Sequence, residues 1–413
     1  MEKSIWEYHT AGDTTSQESI INNSPIPRRG KATLPYDHYN VGWICALYIE
    51  LAATMAMLTE IHEPLAGRLH DSNTYTLGRI GPHNVVICCL PSYGTNNAAV
   101  VASHMSRTFP GIQVSMMIGI AGGVPTKADI RLGDVVVGIR VVQYDMGKTI
   151  EKGHFQRTGI LNGPPQVLLT AIAKLRAQSI SRPNRIASIL SKKRFIRPDP
   201  ASDQLFEATY EHVDGNNGCD SCDISKLVSR QKRDDDEPRI HYGTIASGNQ
   251  VMRHGVTRDR LAAELDILCF EMEAAGIMNT LPCLVIRGIC DYSDSHKNRQ
   301  WQEYAAAAAA AYAADLLSFV HASDSSRDAA EGEHPSPFNR SLGGSARGGD
   351  ARGGNASGGN ARGGDARGGN ARGGNARGGD ASGGFARRED SYEGEARGGD
   401  ARGGDAWAGT FGM

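Results

Sequence analysis

Four short apolar runs constrain this chain more than anything else in it. They are VGWICAL at 41–47, NVVICCL at 84–90, VSMMIGI at 114–120 and DVVVGIRVVQY at 134–144. Glycine, proline or polar residues bound each run, and stretches of helical period such as NAAVVASHMSRTF at 97–109 lie between them. Strands without polar alternation are buried on both faces, and regular exchange with helices delivers them as a largely parallel sheet covered on two sides. The expectation is therefore an α/β domain. Ligands of open α/β sheets bind beyond the carboxyl ends of the strands, so the residues just after these runs are the first candidates for chemistry.

Those strand ends carry acids and glycines. The segment VGWICALYIE delivers Glu50 to the start of a helix, CFEMEAAG ends at Gly276 and holds Glu271 and Glu273, and LVIRGICDYSD begins at Leu284 and holds Asp291. A carboxylate beside a buried strand is costly unless it is paired or used. Two readings stay open for each acid. Glu271 or Glu273 could cap or salt-bridge the helix beginning near Ala274, with Asp291 capping the loop after its strand. Alternatively, three strand ends that carry acids share one site. Gly119, Gly122 and Gly123 in GIAGGVP let backbone approach a ligand closely, though the motif lacks a Walker lysine and identifies no phosphate loop.

Length and composition fit one large domain with tails. The chain has 413 residues, and apolar density sufficient for a packed core covers about its first three quarters. We expect a flexible arm over 1–36, one packed domain over 37–322 with a polar insertion at about 179–238, and a disordered tail over 323–413. The insertion could be a lid, a partner surface or a segment that loops out. The net charge of −2 argues against a globally basic nucleic-acid binder, and no apolar run approaches the roughly 18 residues that span a membrane. The N-terminus lacks the apolar core of a signal peptide, so the expected location is cytoplasmic.

The tail repeats units such as ARGGD and ARGGN from Ala346 to Asp405. Glycine at that frequency loses much entropy on ordering, and few apolar side chains offset the loss. Arginine could recruit RNA, but Arg347, Arg352 and Arg367 are matched by Asp350, Asp365 and Asp380 in nearly neutral repeats. A solvated spacer is the main expectation. Most of the eight cysteines sit inside apolar strands and are expected as buried free thiols. Cys219 and Cys222 form a CxxC pair in a polar stretch, for which His212 and His241 are the nearest further metal ligands. Without a second CxxC we expect two free thiols there, no metal and no cofactor.

The motifs named above, with IRLGDVVV at 130–137 and ASGNQVM at 246–252, occur in an order and spacing that resembles the nucleoside phosphorylase and nucleosidase superfamily over about residues 39–320. The nearest branches are the methylthioadenosine/S-adenosylhomocysteine nucleosidases and fungal phosphorylase-like nucleotide nucleosidase domains. The resemblance implies a three-layer α/β/α sandwich with a central mixed, largely parallel sheet. It implies a homo-oligomer that acts on a small purine nucleoside or nucleotide. By the same resemblance Asp291 protonates the departing purine at N7, Glu273 holds the ribose hydroxyls, and Glu50 activates water with help from Arg287. Ser92, Val251, Met252, Glu271 and Met272 then fall beside the substrate. Departures are visible: Val251 cannot stack on a base, Asn249 replaces the family's acid after Ser-Gly, and Cys290 replaces the usual serine before the catalytic Asp.

Breaking a purine–ribose bond passes through a sugar with oxocarbenium character, so a proton must reach the base while a nucleophile approaches the sugar. An apolar strand end would help keep Asp291 protonated near neutral pH. Hexameric phosphorylases carry an early GDPxR sequence for phosphate, whereas this chain has ALYIE, and an acid at Glu50 repels phosphate but polarises water. Hydrolysis of an adenine nucleoside or nucleotide, including ATP, is therefore expected. Phosphorolysis is the alternative, and a catalytically silent nucleotide-binding or oligomerising module is the second. Lys127, Arg131, Lys148, Arg253, His254 and Lys297 are the basic candidates at the rim.

Overall fold

The computed structural model describes residues 34–321 apart from 182–184, 194 and 214–217, together with backbone strands at Arg28–Arg29 and within 345–388. In chain order the first unit runs β1 (Val41–Cys45), α1 (Tyr48–Met57), β2 (Tyr75–Ile80), β3 (His83–Cys89), α2 (Thr95–Thr108), β4 (Val114–Gly123) and β5 (Val135–Gln143). It continues through α3 (Gln166–Ser179), α4 (Arg185–Lys192), β6 (Ile240–Ser247), α5 (Gly255–Leu265), β7 (Ile267–Glu271), α6 (Ala274–Ile277), β8 (Leu284–Asp291) and α7 (Gln302–Leu317). All four apolar runs form strands. Every residue of β1 and β8 is buried, as strands covered on both faces require.

The sheet is mixed, with strand order β2-β3-β1-β4-β7-β6-β5-β8. Pairs β1/β3, β1/β4, β4/β8, β5/β6 and β6/β7 are parallel, whereas β2/β3, β4/β7 and β5/β8 are antiparallel. Because β8 also pairs with β4, the strands β4, β7, β6, β5 and β8 close into a ring, where an open sheet was the simpler expectation. Closure brings the ends of β4, β7 and β8 together, and with them the acids. Helix α7 packs on β8, β4 and α1, and its alanines at 305–311 are fully buried. Alanine has no side-chain entropy to lose and no bulk to hold the helix away from the strands.

The insertion does not loop out. Arg230 donates to Tyr292 Oη at 2.7 Å and pairs with Asp203 at 3.1 Å, and Arg233 pairs with the buried Asp134 at 2.7 Å. Trp301 Nε1 donates to Ser202 Oγ at 3.0 Å, and the His212 N–H donates to Ser295 Oγ at 2.9 Å. A segment poor in apolar residues is thus fastened by charge-assisted hydrogen bonds, chiefly to the loop after β8.

Among the described residues no helix is long and apolar enough to cross a membrane. Most of the N-terminal arm lies outside the described residues, apart from the pairing of Arg28–Arg29 with Glu60–Ile61. The expected disorder and RNA binding of the repeat tail likewise fall mainly outside them. The described parts of the tail, a separate unit, are short strands paired in parallel, with Ala346 opposite Ala361 and Ala361 opposite Ala376.

Candidate active site

One guanidinium organises the acids. Arg287, on β8, is buried and directs Nη2 at Glu271, in a short contact, and at Glu273 Oε2 at 3.1 Å, while Nη1 stands 4.0 Å from Glu50 Oε1. Burial opposes the charge on Arg287, but three carboxylates raise its pKa above the ordinary value. Glu271 accepts the backbone N–H of Glu273 at 3.1 Å and of Ala274 at 3.0 Å, so its oxygens are occupied by the turn into α6 and by Arg287. It was expected beside the substrate. Its contacts instead match the capping and ion-pair reading, and it holds the guanidinium in place. Glu273 precedes α6 and is buried; burial, with Glu271 and Glu50 nearby, pushes its carboxyl up to about 8 against the opposing pull of Arg287.

Glu50 lies in the first turn of α1. Its Oε2 accepts the N–H of Ala46 at 2.7 Å and of Leu47 at 2.9 Å, and Oε1 accepts the Ile120 N–H at 2.8 Å. The bond from Leu47 is that of a helix-capping acid, and the one from Ile120 ties α1 to β4. Burial raises the Glu50 pKa despite Arg287 and these donors. Oε1 has lone-pair capacity left beyond the Ile120 bond.

The glycines make room for these side chains. A Cβ at Gly119 would collide with Arg287 Nη1 and Glu50 Oε1, and one at Gly122 would stand 2.7 Å from Asp291 Oδ1 and collide with Ser293 Oγ. Gly119 lies opposite Arg287 and Gly122 opposite Asp291, with a register shift between Ile289 and Asp291. Bulges of this kind re-aim a side chain. The two anchor points are three positions apart on β4, about 10 Å of extended chain. Close approach was expected at these glycines, but between protein groups it is now visible as the reason for them. Gly123 serves packing, since a Cβ there would meet Ile289 at 2.8 Å.

Asp291 departs from expectation. Lys297 Nζ lies 2.9 Å from Oδ2, Ser293 N–H donates to Oδ1 at 2.9 Å, and Cys290 Sγ donates to Oδ2 at 3.2 Å. Burial alone would raise the pKa, but the Lys297 ammonium and these donors hold it below the usual carboxylate value. An apolar strand end does not keep it protonated here, because the cation arrives from beyond the strand. Ser293 is a residue that the sequence reading passed over. Its φ is +55°, in the left-handed region, and its buried Oγ has no hydrogen-bond partner. The hydroxyl thus lies beside Asp291 with its hydrogen-bonding capacity unspent.

The remaining candidates lie around these groups. Ser92 is half-buried in the β3–α2 loop, Met252 is buried, Met272 is half-buried and Val251 is exposed. Asn249, noted only as a departure, accepts the Thr95 N–H at 3.1 Å and the Thr95 hydroxyl at 3.0 Å, fixing the start of α2 beside Ser92. Of the rim bases only Lys297 reaches an acid of the site. Lys127 pairs with Asp266, Arg131 with Asp129 and His254 with Glu211, and Lys148 and Arg253 are exposed. A cavity of about 670 Å³ lined by Leu175, Tyr242, Tyr312 and Phe319 contains none of these residues. His241, one of the two histidines proposed for the CxxC pair, instead faces Asp134 at 3.0 Å.

A model of the phosphorylase superfamily matches residues 41–322, from β1 to just beyond α7. The chain belongs to the phosphorylase superfamily. Among proteins similar to this superfamily member is a nucleotide-binding leucine-rich repeat (NLR)-like protein of Hyaloscypha variabilis, 48% identical over 305 residues, or 70% of this chain and 30% of the relative. A 5′-methylthioadenosine/S-adenosylhomocysteine nucleosidase of Mycobacterium bovis is 27% identical over 67% of this chain and 95% of its own length. ATP nucleosidase Cap17 of Escherichia coli is 26% identical over 66% of this chain and 50% of its own length. The chain thus spans less than a third of the fungal relative and half of Cap17. A solved nucleosidase from Neisseria meningitidis, in complex with methylthio-immucillin-A, aligns over 68% of this chain and 98% of its own, with 18% identity and a TM-score of 0.47. The expectation of an enzyme of this kind stands on the superfamily and on relatives named as nucleosidases.

Proposed function

We propose that the domain is a purine N-glycosidase that hydrolyses the base–ribose bond of adenine nucleosides or nucleotides. The observation that carries this reading is the gathering of three buried carboxylates on one guanidinium. The one guanidinium is already engaged by Glu271 and Glu273 and is not free to receive an attacking phosphate dianion, whereas a neutral water meets acceptors. Glu50, fixed by three backbone N–H groups, orients that water and takes its proton as the bond to the sugar forms. Glu273 accepts hydrogen bonds from the ribose hydroxyls, which strengthen as positive charge develops on the ring.

The leaving purine requires a proton, and Asp291 with Lys297 is the pair beside which it departs. Asp291 is ionised in the free domain, so substrate must change the balance. A base that covers the pair removes water and raises the carboxyl's affinity for a proton, which Asp291 takes up from solvent as the substrate binds and then passes to the departing purine. The Ser293 hydroxyl is free to bond the base. The name of the Cap17 relative supports ATP as one substrate, and the exposed Arg253 offers a phosphate contact.

The deciding assay follows free purine from adenosine, methylthioadenosine, AMP and ATP in phosphate-free buffer. Purine and the free sugar are expected without phosphate, and Asp291→Asn is expected to lower turnover roughly 10²–10⁴-fold while leaving substrate binding. Product only when phosphate is added, recovered as sugar 1-phosphate, would replace hydrolysis by phosphorolysis. Wild-type turnover in Asp291→Asn would remove the general-acid role.

A further inference from the structure

The insertion carries a second cluster that this chemistry does not use. His212, Cys219 and Cys222 each offer a ligand atom, and these atoms lie within 4.8 Å of one another. Two thiols and an imidazole reaching one point, with the cysteines two residues apart, form the donor set of a tetrahedral zinc site with bonds of about 2.0–2.3 Å. His212 Nε2 stands 3.0 Å from the Gly218 carbonyl oxygen. A hydrogen bond donated there fixes the tautomer that leaves Nδ1 for a metal, the usual outer support of a ligating histidine.

A fourth donor, His296, stands nearby but outside that 4.8 Å group, its ring stacked on Phe206, and would have to shift toward the other three to complete the site. The His296 side chain is only 3% exposed, and neither ring nitrogen has a hydrogen-bond partner, the nearest Asp294 oxygen being 3.8 Å from Nδ1. Both nitrogens of a buried imidazole without a bond is a costly arrangement that a metal would relieve. The His296 and His212 ring centres are 5.5 Å apart, at 68°. Two imidazoles on one tetrahedral zinc stand roughly 5 Å apart by the same bond lengths. Cys219 Sγ also approaches the His296 carbonyl at 4.0 Å.

We propose that His212, Cys219, Cys222 and His296 bind one zinc ion that staples the insertion to the loop after β8. The two cysteines bind as thiolates, their protons passing to solvent as the metal enters. Four protein ligands leave no open position, so the ion is structural. Its consequence reaches the site through sequence: His296 precedes Lys297, the cation paired with Asp291. The staple would hold Lys297 where Asp291 needs it.

The test measures metal, not turnover, and so stands apart from the glycosidase reading. The full chain, purified without chelator, is expected to hold about one zinc by elemental analysis. Its zinc-edge X-ray absorption should fit two sulfur ligands at about 2.3 Å and two nitrogens at about 2.0 Å. Cys222→Ser should abolish stoichiometric zinc. Should that variant fail to fold, cobalt(II) substitution in the wild type supplies the same answer through thiolate-to-metal charge-transfer absorption. His296→Ala is expected to lose zinc to a competing chelator at least tenfold more readily. A wild-type protein with substoichiometric zinc, a Cys219–Cys222 disulfide, or bound zinc without sulfur ligands overturns the site. Unchanged zinc retention in His296→Ala overturns the four-ligand assignment.

Discussion

Glu273→Gln should make the domain's stability less sensitive to pH, even as it lowers activity. Glu273 is buried, and its carboxyl is pushed up to about 8 by burial and by Glu271 and Glu50. In the unfolded chain an ordinary glutamate titrates near 4.3. Between those values the folded protein holds a proton that the unfolded chain has lost, so stability falls as pH rises and levels off once pH passes about 8. One such proton is worth about 1.4 kcal/mol per pH unit, or about 3.5 kcal/mol from pH 5 to 8 once the levelling near 8 is counted. Glutamine imitates the protonated acid and has nothing to release. Urea unfolding of both proteins at pH 5, 6, 7, 8 and 9 cancels the other titrating groups in the difference. The variant's stability relative to wild type should climb by a few kcal/mol up to pH 8 and then flatten. Parallel curves would refute the raised carboxyl and, with it, the crowding of Glu273 by burial and its neighbouring acids.

Two further tests address neighbouring groups. Gly119→Ala places a Cβ against Arg287 and Glu50, so it should cost about 1–3 kcal/mol in chemical denaturation and reduce turnover, whereas the same change at the open Gly163 should do neither. Lys297→Met removes the main charge that holds the Asp291 carboxyl down, so burial should raise that pKa; residual activity should then persist to higher pH than in wild type while turnover falls. An unmoved pH–rate profile would mean that Asp291 does not titrate in the rate-limiting step.

What could be seen from the sequence followed from cost. Acids beside apolar strands had to be paired or used, and four hydrophobic runs could hardly avoid one sheet. Glu50, Glu271, Glu273 and Asp291 therefore emerged together, with Arg287 added by the resemblance, and the structure joins the first three through that guanidinium. The division of labour among them was less visible. Whether Glu271 or Glu273 faces the turn depends on how the chain bends after β7, where backbone donors at Glu273 and Ala274 capture Glu271. The state of Asp291 was misread because its partner comes six residues later, beyond a residue with positive φ, where periodicity gives no direction. The insertion was opaque for another reason. Its anchors are single arginines, and nothing local to Arg230 or Arg233 indicates Tyr292 or Asp134 as the destination.

These anchors bear on how the acids can work together. Arg287 and its carboxylates are held by strand pairing and by backbone donors from α1, β4 and α6, all parts of the sheet's closed end. Asp291 sits at the end of β8, but its cation Lys297 lies on the loop that Arg230, His212 and Trp301 fasten to the insertion. The sugar end of the proposed site is thus set by the core, while the base end depends on a segment outside the sheet. Protonating a purine requires the Asp291–Lys297 balance to shift when substrate arrives, and a lysine carried on a fastened loop can be displaced without breaking a strand. A rearrangement of the Arg287 cluster would instead unpair buried charges, at several kcal/mol for each partner lost. Substrate-dependent change should therefore concentrate in the Lys297 side chain, with the loop anchors, the guanidinium and its three acids left in place.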